Sequence, residues 1–190
     1  MTLDRKKVRV FNRSFRENRN MADIYIFDID GCIMPNLFLN FTEDSDNSGT
    51  LNSNLKDEVA RLDLFPEFIE FYRHNCINSL AIYFITGRKR KDYDKITEQQ
   101  LFLVRKFKNF SLKFYPDDKS HIKKDYFVWK FEMITNIISQ YRQSYANFYI
   151  YDDFKDIIFT LKKLNSFHHN IHCTLIQAKT DWILEKTPLL

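Results

Sequence analysis

The sequence predicts an α/β fold built in three layers, with a five-stranded parallel sheet and helices on both of its faces. Short apolar, β-branched or aromatic segments alternate with segments of helical periodicity, which is the pattern of a parallel sheet. The five candidate strands are residues 24–29, 79–85, 110–115, 147–151 and 171–176. With 190 residues and 44% hydrophobic content, the chain suits a single domain with a substantial core. We therefore predict a Rossmann-like domain over residues 21–190.

A basic arm precedes the first predicted strand. Residues 1–20 contain seven Lys and Arg against Asp4 and Glu17, a local charge of +5, whereas the whole chain carries +4. The remainder of the chain is therefore close to neutral. We expect this arm to lie outside the domain and to be able to remain disordered. Contact with a nucleic acid backbone is one interpretation of such an arm, and simple solvation is the other.

Composition also bears on the compartment and on membrane contact. No apolar run reaches the roughly 20 residues that span a bilayer, and the N-terminus lacks the apolar core of a signal peptide. Cys32, Cys76 and Cys173 have neither disulfide nor metal-type spacing. We expect a cytoplasmic protein with reduced thiols and no membrane partner. The sequence predicts no particular oligomeric state.

Two helices between the strands are marked by apolar stripes. One begins near Pro66, because proline suits the first turn of a helix, and its buried face carries Phe65, Phe68, Ile69 and Tyr72. The other precedes the fourth strand and has a stripe from Phe127 to Tyr141, with Lys130 near its beginning and off the stripe.

A polar segment separates the first strand from the first of these helices. Residues 39–56 are rich in Asn, Asp, Ser and Thr, which indicates a mobile loop. This loop is too short for a folded cap domain. Residues 89–109 are expected to form a core helix. We therefore predict no full cap domain.

Acidic and polar side chains follow the ends of successive predicted strands. They are Asp28 and Asp30 after the first strand, Thr86 after the second, Lys130 in the helix before the fourth, and Asp152 and Asp153 after the fourth. Open α/β sheets bind ligands at this edge, and clustered carboxylates suit a hard divalent cation together with phosphate. The chain lacks the Gly-rich phosphate loops of kinases and dehydrogenases, which disfavours both classes.

In their order, spacing and strand context, these residues resemble the motifs of the haloacid dehalogenase-like phosphohydrolase superfamily, across residues 24–160. Because the chain has no room for a full cap insertion, it resembles the members of that superfamily that lack a cap domain. The resemblance implies a Mg²⁺-dependent phosphomonoester hydrolase that acts through an aspartyl-phosphate. It gives the role of nucleophile to Asp28 and of general acid and then base to Asp30, chemistry for which a carboxylate pair is suited.

The resemblance also implies roles for the remaining motif residues. Thr86 is expected to hydrogen-bond a phosphoryl oxygen, and Lys130 to offset negative charge, with Lys119, Lys123 and Lys124 as rival lysines. Gly87 and Arg88 are expected at the substrate. The expected Mg²⁺ ligands are Asp28, Asp30, Asp152 and Asp153. Cys32 departs from the family's frequent threonine, and we expect it to be a small buried hydrophobe.

The substrate is less constrained than the reaction. An open site beside the basic run of residues 88–91 favours a nucleic acid end or a nucleotide. More weakly, the chain resembles the phosphatase module of polynucleotide kinases and related RNA repair proteins. Two alternatives stay open: a small-metabolite phosphatase for sugars or sugar acids, capped by oligomerisation, and a catalytically silent binding protein on the same fold.

A zinc site is a further interpretation, and the sequence disfavours it. Its ligands would be His168, His169, His172 and Cys173. They straddle the start of a predicted strand, where side chains alternate between faces, and they lack a second cysteine pair.

Overall fold

The computed structural model describes residues 22–35, 53–119, 122–141, 146–165 and 170–176. The predicted basic arm, residues 1–20, lies outside these ranges, as does most of the predicted loop of residues 39–56. The absence of a full cap therefore stays a prediction for that segment. The second place where a cap would insert, residues 89–109, is described and consists of the end of one strand and two helices.

A five-stranded, entirely parallel sheet forms the centre of the molecule, in the order β3-β2-β1-β4-β5. This arrangement confirms the predicted α/β, Rossmann-like class. The strands are β1 (Ala22–Asp28), β2 (Ala81–Lys89), β3 (Ser111–Tyr115), β4 (Ala146–Asp152) and β5 (Ile171–Leu175). Each overlaps its predicted segment, but β2 continues four residues beyond the predicted end, through the Thr-Gly-Arg sequence.

Six helices are described between the strands. They are α1 (Ser53–Ala60), α2 (Pro66–Asn75), α3 (Arg90–Gln100), α4 (Phe102–Arg105), α5 (Lys123–Gln140) and α6 (Lys155–Asn165). As predicted, α2 has its proline in the first turn. In contrast, α5 begins seven residues before Lys130, so this lysine lies about two turns inside the helix rather than at its opening.

Apolar side chains cover both faces of the sheet, which gives the three layers. On one face, Phe27 of β1 packs against Phe68 of α2 and Tyr151 of β4, with ring centroids 5.1 Å and 5.0 Å away. On the other face, Ile26 belongs to a core cluster with Ile134 of α5, as does Leu161 of α6. Burial of each such side chain contributes about 1.5–3 kcal/mol. The two clusters therefore hold the central strands between two helical layers.

The strand register brings the predicted motif residues to one edge. Asp28, the last residue of β1, pairs with Ile85, which directly precedes Thr86. On the other side, Phe27 pairs with Tyr151, which directly precedes Asp152. The carboxyl ends of the three central strands thus meet around Asp28. No helix in the described part of the chain is long and apolar enough to cross a bilayer.

Candidate active site

A tight turn after β1 sends its two acids in different directions. The backbone N–H of Ile33 donates to the carbonyl of Ile29 at 3.0 Å, and that of Gly31 donates to Met34 at 2.9 Å. Gly31 has φ of 80°, a conformation that residues with a Cβ rarely adopt. The chain therefore turns immediately after Asp30, and the carboxylates of Asp28 and Asp30 have different partners.

Three carboxylates form a cluster at the end of β1 and β4. Oxygen atoms of Asp28, Asp152 and Asp153 all lie within 4.8 Å of one another. Asp28 and Asp152 are buried, with 5% and 1% of their surface exposed. The backbone N–H of Phe154 donates to Asp152 Oδ1 at 2.8 Å, which fixes the orientation of that carboxylate. The strand ends thus place three acidic groups in a small, largely dry volume.

Lys130 provides the positive charge inside this cluster. Its Nζ lies 2.9 Å from Asp28 Oδ1 and 2.7 Å from Asp152 Oδ2, and only 1% of its surface is exposed. The same ammonium lies 5.3 Å from the centroid of the Tyr126 ring. The three rival lysines, Lys119, Lys123 and Lys124, are exposed. Of the four candidates, the structure brings Lys130 to Asp28.

The pKa values in the cluster are shifted by burial and by the neighbouring charges. Burial raises the pKa of the Asp28 carboxyl well above its usual range; Asp152 and Asp153 raise it further, and Lys130 opposes them. For Lys130, burial alone lowers the pKa, but Asp152 and Asp28 outweigh it and the pKa is raised. With all three carboxylates ionised, the cluster would carry a formal excess of two negative charges over the Lys130 ammonium.

This donor set fits a divalent cation. Carboxylate oxygens are the ligands that hard divalent ions prefer, and two positive charges would balance the excess of the cluster. Asp28, Asp152 and Asp153 are the residues that would hold such an ion. The sequence predicts Asp30 as a fourth ligand, but its carboxylate lies outside the cluster. The identity of the ion as Mg²⁺ stays a prediction.

Asp30 is bound by a buried arginine. Arg88 Nε lies 3.1 Å and 3.0 Å from the two carboxylate oxygens, and Nη2 lies 2.6 Å from Oδ1. The hydroxyl of Thr86 donates to Asp30 Oδ2 at 3.2 Å. The Arg88 side chain is fully enclosed, whereas 12% of the Asp30 side chain is exposed. Thr86 and Arg88 are both predicted to contact substrate, and in the structure their side chains donate hydrogen bonds to Asp30.

Gly87 lies where the Tyr126 ring of helix α5 approaches the end of β2 closely. A Cβ at this position would lie 3.2 Å from the ring of Tyr126. The register between β2 and β3 is also irregular from Thr86 to Lys89. The absence of a side chain at Gly87 therefore leaves space for the Tyr126 ring, which lies beside Lys130. A contact between Gly87 and substrate stays a prediction.

The basic run after Gly87 is divided between the interior and the surface. Arg88 is buried, whereas Arg90 and Lys91 are exposed. Lys89 Nζ donates to the carbonyl oxygen of Asp117 at 3.3 Å. Arg90 forms an ion pair with Asp94 at 3.4 Å, with 72% of the arginine side chain exposed. Three of the four cations thus remain near the surface beside the site.

Sequence reasoning missed three supporting residues: Tyr126, Thr97 and Gln100. Tyr126 lies four residues before Lys130, so the helical i, i+4 spacing was a usable signal. Thr97 and Gln100 lie on α3 and bind Arg88, which no local pattern indicates.

The residues of the disfavoured zinc interpretation have other surroundings. The His172 ring stacks on Tyr149 with centroids 4.9 Å apart. His168 and His169 lie outside the described residues. Within the described part of the chain, the group of acids, histidines and cysteines close enough to share an ion consists of Asp28, Asp152 and Asp153.

Comparisons with known proteins assign no family. No protein-family model matches the chain, and no curated protein matches it. The resemblance to haloacid dehalogenase-like phosphohydrolases therefore stays a prediction based on the motif residues.

Proposed function

We propose that the protein is a Mg²⁺-dependent phosphomonoester hydrolase that acts through an aspartyl-phosphate on Asp28. One observation carries the proposal: Asp28 ends the central strand, 2.9 Å from a buried ammonium and within 4.8 Å of two further carboxylates. A carboxylate in contact with a fixed cation, beside a site for a divalent ion, suits attack on a phosphate ester.

The two acids divide the chemistry. An oxygen of Asp28 forms a bond to phosphorus while the bond to the leaving oxygen breaks, and Asp30 gives that oxygen a proton as it departs with the bonding electrons. Water then attacks the phosphorus of the aspartyl-phosphate, and Asp30 takes the proton of the water. Phosphate leaves, and Asp28 is restored as a carboxylate.

Positive charge in the site offsets the negative charge of the carboxylates and the phosphoryl group. Lys130 holds Asp28 in place and offsets charge on the phosphoryl oxygens. Asp28, Asp152 and Asp153 would hold a metal ion, which would supply further positive charge and reduce the repulsion between Asp28 and a phosphate dianion. The observation that supports this cofactor is the grouping of three carboxylates within 4.8 Å around a single lysine.

The proposed substrate is a phosphate at a nucleic acid end or on a nucleotide. Lys89, Arg90 and Lys91 lie at the same sheet edge as Asp28, and residues 1–20 add a charge of +5 in the sequence. Cations at the rim of a site attract a polyanion and raise its rate of encounter. They support this class over a phosphorylated sugar, whose negative charge is limited to its single phosphate.

The test is phosphate release from a 3′-phosphorylated oligonucleotide and from 4-nitrophenyl phosphate, with Mg²⁺ and with a chelator. We expect Mg²⁺-dependent release that favours the oligonucleotide and weakens with salt. Asp28→Asn should abolish it, whereas Asp63→Asn, at an exposed acid outside the site, should not. Release from the small ester alone would favour the metabolite alternative. Normal turnover by Asp28→Asn would contradict the mechanism.

A further inference from the structure

The environment of Asp30 is unusually well defined for a residue in a turn. Both of its oxygens accept from Arg88, and Oδ2 also accepts from the hydroxyl of Thr86. The backbone N–H of Arg88 in turn donates to the same hydroxyl at 3.1 Å. A planar guanidinium that binds a carboxylate through two nitrogens fixes its plane as well as its position.

Arg88 is itself held by helix α3. Its Nη1 donates to Thr97 Oγ1 at 3.0 Å and to Gln100 Oε1 at 2.6 Å. These two residues are three apart and therefore lie on one face of the helix. The Gln100 amide then donates to the backbone carbonyls of Val59 at 2.6 Å and Leu62 at 3.0 Å, at the end of α1.

Exposure separates the roles of the two charged partners. Asp30 retains 12% of its side-chain surface, whereas Arg88 retains none. A group that exchanges a proton with substrate has to reach it, and Asp30 alone of the pair reaches the surface. The five N–H groups of the Arg88 guanidinium are directed at Asp30, Thr97, Gln100 and the Met34 sulfur, so it acts through Asp30 and not on the substrate.

We infer that Arg88 is a positioning residue that holds Asp30 in the orientation for proton transfer, and that Thr97 and Gln100 fix Arg88 in turn. The inference rests on the proposed function, in which Asp30 protonates the leaving oxygen. It differs from the sequence prediction, which placed Arg88 at the substrate. It also makes helix α3 part of the catalytic framework, although no residue of α3 contacts the carboxylate cluster.

The test exploits the dependence of rate on the leaving group. A positioned acid matters most for poor leaving groups, because 4-nitrophenolate departs readily without a proton and phenolate does not. We would measure kcat/KM for 4-nitrophenyl, phenyl and 4-methoxyphenyl phosphates, which reports the first chemical step. Arg88→Met should lose about 100-fold with phenyl phosphate but less than about 10-fold with 4-nitrophenyl phosphate.

Further variants separate positioning from a structural role. Arg88→Lys keeps the charge without the planar fork and should recover part of the loss with phenyl phosphate. Thr97→Val leaves the contacts of Arg88 with Asp30 in place and should change the ratio of the two rates by about threefold to tenfold, the worth of one hydrogen bond. Arg105→Met removes a 2.7 Å ion pair with Glu98, half-exposed on α4, and should leave the ratio unchanged.

A second measurement tests the hydrolysis of the aspartyl-phosphate, the second step of the proposed reaction. Asp30 also activates the water that hydrolyses the aspartyl-phosphate, so Arg88→Met should accumulate phosphoenzyme in acid-quenched samples where the wild type does not.

Uniform losses of Arg88→Met on all three esters, without accumulated phosphoenzyme, would overturn the inference while leaving the proposed function intact. If Arg88→Met does not fold, an unchanged ratio in Thr97→Val overturns it equally. A wild-type protein that hydrolyses none of the esters or oligonucleotides overturns the proposed function, and the inference with it.

Discussion

Replacement of Asp28 by asparagine should stabilise the metal-free protein while removing most of its stabilisation by Mg²⁺. The carboxylate shares Lys130 with Asp152, and an oxygen of Asp153 lies within 4.8 Å. Burial and the neighbouring acids raise the pKa of Asp28. At pH values above the usual pKa of an aspartate, the native state therefore binds more protons than the unfolded state. Stability conferred by this group therefore falls as pH rises, and at pH 7 the ionised form costs free energy.

The magnitude follows from which contacts remain. Asp28→Asn loses the 2.9 Å ion pair with Lys130, but the ammonium keeps Asp152 at 2.7 Å, so the net excess of charge falls from two to one. Because no uncompensated ammonium is left, we expect a gain of about 1–3 kcal/mol without metal, of the order found when whole buried ion pairs are replaced by neutral side chains. For a chain of this size, that is a rise in Tm of about 2–12 °C.

With Mg²⁺ bound, the order of stability should reverse, so that the wild type becomes more stable than Asp28→Asn. An ion that binds only the folded wild type at a hundred times its Kd adds about 2.7 kcal/mol, and Asp28→Asn should lose most of this increment. The assay is thermal unfolding followed by circular dichroism at pH 7, with chelator and with Mg²⁺. Asp63→Asn, at an exposed acid, serves as the matched control and should behave as the wild type. A lower Tm of Asp28→Asn in chelator would refute the reasoning about charge excess.

Three further substitutions test other parts of the site and fold. Lys130→Met removes the cation shared by two buried carboxylates, so we expect a loss of about 3–5 kcal/mol in urea unfolding and at least about 100-fold lower phosphate release. Gly87→Ala forces a methyl group to 3.2 Å from the Tyr126 ring and should cost about 1–3 kcal/mol in the same assay, without changing the Mg²⁺ increment. Burial lowers the pKa of His172, so the unfolded state binds more protons and stability should fall as pH drops below about 6.5. His172→Phe keeps a ring stacked on Tyr149 and should flatten that pH dependence; an unchanged slope would contradict the assignment.

The strands and the edge at which the site lies could be predicted because their signals are local. Residues around Phe27 and Ile150 form short apolar runs, and an acid that directly follows such a run in a parallel sheet has to lie at the carboxyl edge. Asp28 and Asp152 were placed in this way, and the structure brings them together through a single lysine.

Other features depended on contacts between distant parts of the chain. The polar sequence from Thr86 to Arg88 is typical of a turn, but pairing with β3 continues the strand to Lys89. Helix α5 begins at Lys123 without a side-chain cap, so the polar residues of its first turn, 123–125, did not indicate where the helix starts. The partner of Asp30 is 58 residues away in the sequence, and no periodicity encodes such a pair.

The separation of the two acids is the feature by which the fold gives two adjacent aspartates different chemistry. In a continuous strand, the i, i+2 spacing would point both carboxylates to one face, where they would share one environment. The turn at Gly31 prevents this: Asp28 lies among carboxylates beside Lys130, and Asp30 lies against Arg88. Carboxylates in different environments can take different roles, and the proposed mechanism assigns attack on phosphorus to Asp28 and proton transfer to Asp30. Because Arg88 extends from the strand next to β1 and Lys130 from the helix before β4, different elements of the fold hold the two carboxylates.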